Sequence, residues 1–283
     1  MKTCDIHIRD PFVLAENGQY YLYGTRAGNW GTKTSGFDVY VSDDLEDWSE
    51  PMPCFDSSAY GLNDGCNWAP EVHKYKGGYY MFATFSEKSN CHKKTYILRS
   101  SSPEGPFVPH SNGAVTPADW ECLDGTFYLG DDKPYVIFSH EHTEIIDGTI
   151  CMAPLSDDLT ERIGEPIVLF SASSSGCSDP YGKENHYVTD GPFIYKSKTN
   201  ELFMIWSTFI KNQYSECVVK FTDGKLGQNL VHLDPLIYND GGHGMIFRKD
   251  EKTYLTLHRP NTPGKERPVF IPIEDAGDKL IIV

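Results

Sequence analysis

No stretch of this 283-residue chain approaches the roughly 18–20 consecutive apolar residues of a membrane-spanning helix, and its start, Met1-Lys2-Thr3-Cys4-Asp5, lacks the apolar core of a secretory signal. These absences lead to the expectation of a cytoplasmic protein, the alternative being a signal already removed. Basic residues are scarce, 25 Lys and Arg against 40 Asp and Glu, for a formal net charge of −15. Nucleic acid and anionic membrane surfaces would be repelled, so a neutral ligand is expected. The eight cysteines (4, 54, 66, 91, 122, 151, 177 and 217) include no Cys-x-x-Cys pair, which argues against a zinc site of the usual spacing. They read as reduced, mostly buried thiols, with disulfides between neighbouring loops as the alternative. No linker rich in Pro, Gly or Ser and no charge run divides the chain, so residues 1–283 are expected to form one domain.

What is present is a repeat of aromatic-rich hairpins. Five segments read as an opening turn and strand, a polar turn, and a second strand: DPFVLAENGQYYLYGT from Asp10, APEVHKYKGGYYMFAT from Ala69, DGTFYLGDDKPYVIFS from Asp124, DGPFIYKSKTNELFMIWS from Asp190 and HGMIFRKDEKTYLTLH from His243. In four copies an aromatic follows the opening residue by eleven positions (Tyr21, Tyr80, Tyr135 and Tyr254); in the fourth, Phe203 follows Asp190 by thirteen, which the longer turn KSKTN accounts for. The openings are separated by 59, 55, 66 and 53 residues, room for two further strands per unit, and alternating segments such as FDVYVSDDLEDWSEP and TYILRSSSPEGPFVPH supply them. Five units of four antiparallel strands make an all-β, five-bladed propeller. A β-sandwich or barrel with similar hairpins is the competing fold. The stretch 171–188 reads as a long loop before the fourth unit, and long loops in compact folds tend to be functional.

In a propeller, equivalent opening positions converge on the axis. Asp10, Ala69, Asp124, Asp190 and His243 are therefore expected together at the hub. Asp before Pro or Gly also initiates turns, but three gathered carboxylates are costly unless protons or cations relieve them. Such a group suits glycoside hydrolysis, where one carboxyl protonates the leaving oxygen and another activates water.

The ordered set Arg9-Asp10-Pro11-Phe12, Trp68-Ala69-Pro70-Glu71-Val72, Asp124-Gly-Thr-Phe, Asp190-Gly191-Pro192 and Gly242-His243-Gly244 resembles glycoside hydrolase family 43 over nearly the whole chain. That resemblance implies a five-bladed propeller acting with inversion on arabinose- and xylose-containing glycans. It implies Asp10 as general base, Asp124 as the residue that tunes and orients the acid, and Asp190 as the acid. The family's usual Glu-Gly-Pro is here Asp190-Gly191-Pro192, one methylene shorter, so Glu141 and Glu71 stand as rivals for the acid. The matching His243 is implied to lie by the axis, where a hydrated cation, commonly calcium, is structural or electrostatic. Trp68, His140, Glu141, Trp206 and Arg259 are placed to line the sugar cavity, whereas Trp48 and Trp120 read as packing residues. The expected activity is an inverting exo-glycosidase without a cofactor for its chemistry, first an α-L-arabinofuranosidase and next a β-xylosidase. Endo-arabinanase, endo-xylanase, β-galactofuranosidase, an inulinase-like hydrolase or phosphorylase, and a non-catalytic glycan- or protein-binding propeller remain alternatives.

Overall fold

A computed structural model describes residues 1–26, 35–62, 65–86, 92–182 and 185–283. It contains five four-stranded antiparallel sheets, each built from four consecutive strands of the chain. The first hairpins are Ile8–Glu16 with Gln19–Arg26, Asn67–Tyr75 with Gly78–Ser86, Cys122–Leu129 with Pro134–His140, Asp190–Lys196 with Leu202–Ile210, and Gly242–Lys249 with Lys252–Arg259. The third strands expected from the sequence form at Phe37–Ser42, Lys93–Ser100 and Thr149–Pro154. No helix among the described residues is long and apolar enough to cross a membrane.

The aromatic pairs explain the assembly. Tyr79 and Tyr80 alternate across their strand, so each sheet carries large side chains on both faces and must be covered twice. Buried clusters accordingly lie between neighbouring blades, as where Phe138 and Cys151 of blade three pack with Phe82 and Ile97 of blade two. Trp206 belongs to such a layer. It is fully buried, its ring 5.1 Å from Phe170, and so serves the packing between blades three and four rather than the sugar cavity expected for it.

Every first hairpin carries a bulge near its opening, as between Arg9 and Phe12, Trp68 and Glu71, and Gly242 and Met245. The bulged residue has positive φ: Asp10 at 52°, Ala69 at 45°, Asp124 at 56° and His243 at 53°. In blade four the residue with this conformation is Gly191, at 47°, because Asp190 pairs with Ser207 as Arg9 pairs with Thr25 and Gly242 with His258. This corrects the equivalence read from sequence. Of the two extra residues between Asp190 and Phe203, one reflects this offset and only one the longer turn.

The bulges knit the blades together. Ala69 N–H donates to Thr25 Oγ1 (2.8 Å), Asp124 N–H to Thr84 Oγ1 (2.9 Å) and His243 N–H to Ser207 Oγ (2.6 Å), each acceptor lying on the second strand of the preceding blade. The ring closes when Asp10 N–H donates to His258 Nδ1 of blade five (3.2 Å). Among the described residues no strand crosses this seam; Arg9–Glu266 (2.9 Å), Trp48 stacked on Phe270 and the Arg267 contact with Cys4 O (2.9 Å) hold it.

Candidate active site

Two rings of residues follow from the bulges. The inner ring, Asp10, Ala69, Asp124, Gly191 and His243, turns toward the axis. The residues one step earlier include Arg9, Trp68, Leu123 and Asp190, and all four line a cavity of about 550 Å³ over the hub. Asp190 is therefore the hub carboxylate that looks outward, its side chain 23% exposed against 8% for Asp10 and 5% for Asp124.

The vacant inner position of blade four is used by a neighbour. A Cβ on Gly191 would come 2.7 Å from Cδ2 of the His243 ring, so only glycine lets the imidazole lie there. Its Nδ1 then stands 3.2 Å from Asp10 Oδ1, 3.6 Å from Asp190 Oδ1 and 3.7 Å from Asp124 Oδ2. The first two distances cap the separation of the Asp10 and Asp190 Oδ1 atoms at their sum, 6.8 Å. That admits only the lower edge of the roughly 6.5–9.5 Å expected between an inverting acid and base.

The three carboxyls titrate differently. Burial alone would raise Asp10, but His243, Arg9 and the 2.6 Å bond from Thr25 Oγ1 outweigh it and hold Asp10 below the usual carboxylate range. Its other histidine neighbour, His258, is pushed down to about 3 by burial and by Arg9. Its neutral Nδ1 can therefore accept from Asp10 N–H, leaving Nε2 facing Asn261 Oδ1 at 3.3 Å. Asp124 is driven well above the ordinary range by burial, by Asp190 and by Asp10. Asp190 sits low because, against its burial, the neighbouring Asp124 carboxyl, the charge of His243 and a 2.5 Å bond from Tyr214 OH favour its ionised form. Their coupling thus favours a proton on Asp124 over one on Asp190.

Asp124, Asp190 and His243 offer ligand atoms within 4.8 Å of one another. Calcium takes six to eight oxygen ligands. This set offers two carboxylates and one imidazole nitrogen, so an ion held here would draw most of its oxygen shell from water.

Glu141 lines the cavity, tied through Oε2 to Lys93 Nζ (2.8 Å) and through Oε1 to His142 Nε2 (3.1 Å). Trp68 lines it from blade two, and Tyr181 and Phe209, stacked 3.6 Å apart, line it from the blade-four side. The other expected lining residues are engaged elsewhere. His140 stacks on Trp120 at 4.2 Å and bonds to Glu144 (2.8 Å), and Arg259 Nε donates to Asp240 O (2.6 Å). Glu71 pairs with His73 (3.0 Å) and is not among the lining residues, which removes it from contention as the acid.

Sequence reasoning missed Lys93, His142, Tyr181, Phe209, Tyr214 and His258 as site residues. Tyr181 lay in the segment 171–188, whose length marked it as functional, and His258 ends a repeat already identified. Tyr214 is one of 17 tyrosines and carries no local signal. The expectation of buried thiols holds for Cys54, Cys122, Cys151 and Cys217, whereas Cys4 is exposed and Cys66 and Cys177 are half-buried; Cys91 lies outside the described residues.

A family model described as "Glycosyl hydrolases family 43" matches residues 4–272. The fold is similar to an endo-arabinase from Bacteroides thetaiotaomicron VPI-5482, 34% identical, over 97% of this chain and 96% of that one, with a TM-score of 0.88. A probable arabinan endo-1,5-alpha-L-arabinosidase C from Aspergillus clavatus is 26% identical over 146 residues; the match spans 48% of this chain and only 42% of the fungal protein. An alpha-L-arabinofuranosidase from Lactobacillus brevis shares the fold, with 15% identity and a TM-score of 0.71 over 99% of both chains.

Proposed function

The chain belongs to the glycosyl hydrolases of family 43, and from that premise we propose that it hydrolyses α-L-arabinofuranosidic bonds within arabinan-type chains with inversion of configuration. The observation that carries this reading is the gathering of Asp10, Asp190 and Asp124 around His243 Nδ1, at 3.2, 3.6 and 3.7 Å, on the floor of a cavity with aromatic faces from blades two and four. Asp10 takes the proton of the attacking water. Asp190, the outward member of the pair, passes a proton to the leaving oxygen, and Asp124 supplies it. Trp68 offers its face to the C–H surface of one sugar unit, while Glu141, Lys93 and His142 engage hydroxyls.

Likeness to a protein named an endo-arabinase supports a cut within the chain, in place of the terminal cut expected from the sequence. Aromatic walls on two sides of the carboxylates support it too, since they suit sugar units bound on either side of the broken bond. The test is digestion of linear α-1,5-arabinan beside aryl α-L-arabinofuranoside, β-D-xyloside and β-D-galactofuranoside, with Asp10→Asn as control. Arabino-oligosaccharides of mixed length are the expected early products. Arabinose as the sole early product returns the reading to a terminal cut; hydrolysis of none of the substrates, or an unaffected Asp10→Asn variant, defeats it.

A further inference from the structure

Cys177 and Cys217 bring their sulfurs to 3.0 Å from opposite sides of a packed boundary. Cys217 lies on the third strand of blade four (Gln213–Phe221), fully buried in the layer that also holds Trp206. Cys177 lies, half-buried, in the segment that precedes blade four and carries Tyr181 and Val188 to the cavity. The segment is fixed around the thiol. Cys177 N–H and Ser178 N–H both donate to Ser175 Oγ (3.2 Å), Ser178 Oγ bonds to Thr208 Oγ1 (2.7 Å), and Asp179 N–H donates to Phe209 O (2.9 Å). The sulfurs are held about 1 Å beyond the S–S bond length of about 2.05 Å by bonded backbone on both sides, so joining them requires little movement.

We propose that Cys177 and Cys217 are a thiol pair that closes to a disulfide under a disulfide-bonded small thiol such as glutathione disulfide, tying the cavity-lining segment to blade four. Cys177 thiolate attacks one sulfur of the oxidant and expels one small-molecule thiolate. Cys217 then gives up its proton and displaces the second thiolate from the mixed disulfide as the Sγ–Sγ bond forms. The two cysteines lose two electrons, and the oxidant leaves as two thiols carrying the two cysteine protons. The division of labour follows from surroundings. The hydrogen bond from Cys217 draws Cys177 down to about 7, giving thiolate character to the less buried sulfur of the two, while the same bond and burial hold Cys217 up as the thiol that resolves.

The experiment treats the reduced full chain with glutathione disulfide, blocks remaining thiols with N-ethylmaleimide after denaturation, and maps the digest by mass spectrometry. A peptide pair joined through Cys177 and Cys217 is expected in the wild type, and alkylated Cys217 in Cys177→Ser, whose half-buried position tolerates the change. Oxidation should also raise the thermal midpoint of the wild type reversibly, with dithiothreitol restoring it, and leave Cys177→Ser unmoved. Recovery of both cysteines alkylated, of Cys177 carrying glutathione with no link, or of Cys177 joined to any other cysteine overturns the proposal. So does an oxidised form with an unchanged midpoint. None of these readings depends on hydrolase activity.

Discussion

Asp124 and Asp190 each bring a carboxyl oxygen close to His243 Nδ1, at 3.7 and 3.6 Å, where the two could not both ionise without cost. The pair differs in access rather than in kind: both line the cavity, but 23% of the Asp190 side chain is exposed against 5% of Asp124. Replacing Asp190 by Asn should lower kcat on arabino-oligosaccharides by about 10²–10⁴ and spare aryl substrates whose leaving group needs no proton. Asp124→Asn removes the carboxyl that supplies the proton to Asp190, so the alkaline limb of kcat/KM should move to lower pH. If Glu141→Gln shows the leaving-group dependence instead, the acid role passes to Glu141.

For Asp10 the loss should not depend on the leaving group. Asp10→Asn is expected to cut kcat by about 10²–10⁴ on good and poor leaving groups alike, with KM little changed. Because Asp10 is held below the usual carboxylate range, it stays ionised as the pH falls, and its acidic limb should lie below that of an ordinary aspartate. Arg9→Gln removes one of the charges responsible and should shift that limb upward. Steady-state pH profiles of the two enzymes would show it, and an unmoved limb would count against Arg9 as its cause.

Glu216 is a buried carboxyl outside the cavity. Burial raises it to about 8 although its Oε2 accepts from Ser207 Oγ (2.7 Å) and Gly244 N–H (3.1 Å). Folded chains keep its proton between pH 4.5 and about 8, where unfolded chains have lost it, so stability must fall as the pH rises through that window. The fall should be on the order of a few kcal/mol. Glu216→Gln mimics the protonated form and should flatten the decline; denaturant midpoints at pH 5 and 8 for both proteins would decide it.

Trp206→Ala tests a packing role against a sugar-binding one. Truncating a fully buried tryptophan should cost about 3–5 kcal/mol in urea unfolding. The KM of the molecules that remain folded should match the wild type; a raised KM at unchanged stability would return Trp206 to the cavity.

The fold was legible because hairpin spacing repeats, and spacing survives differences in side chains. Asp10 and Asp124 followed directly, since each is the bulged residue of its own repeat. Asp190 was found through the wrong equivalence: pairing with Ser207 is a matter of register, which a longer turn disguises in the sequence, and the offset by one is what turns Asp190 toward the cavity. Trp206 and His140 misled because a strand residue near a blade's inner end can point into the layer between blades as well as toward the axis. Lys93, His142 and Tyr181 come from segments outside the repeating hairpins, where no period constrains them.

The seam between blades five and one joins the first sheet of the chain to the last, with no shared strand across it among the described residues. Its innermost fastening is Asp10 N–H on His258, backed by Arg9 on Glu266, so the groups that tune the base are also the latch of the ring. A molecule whose latch has opened loses, in the same event, the electrostatic setting of Asp10. Opening at this seam should therefore disarm the base as it loosens the ring.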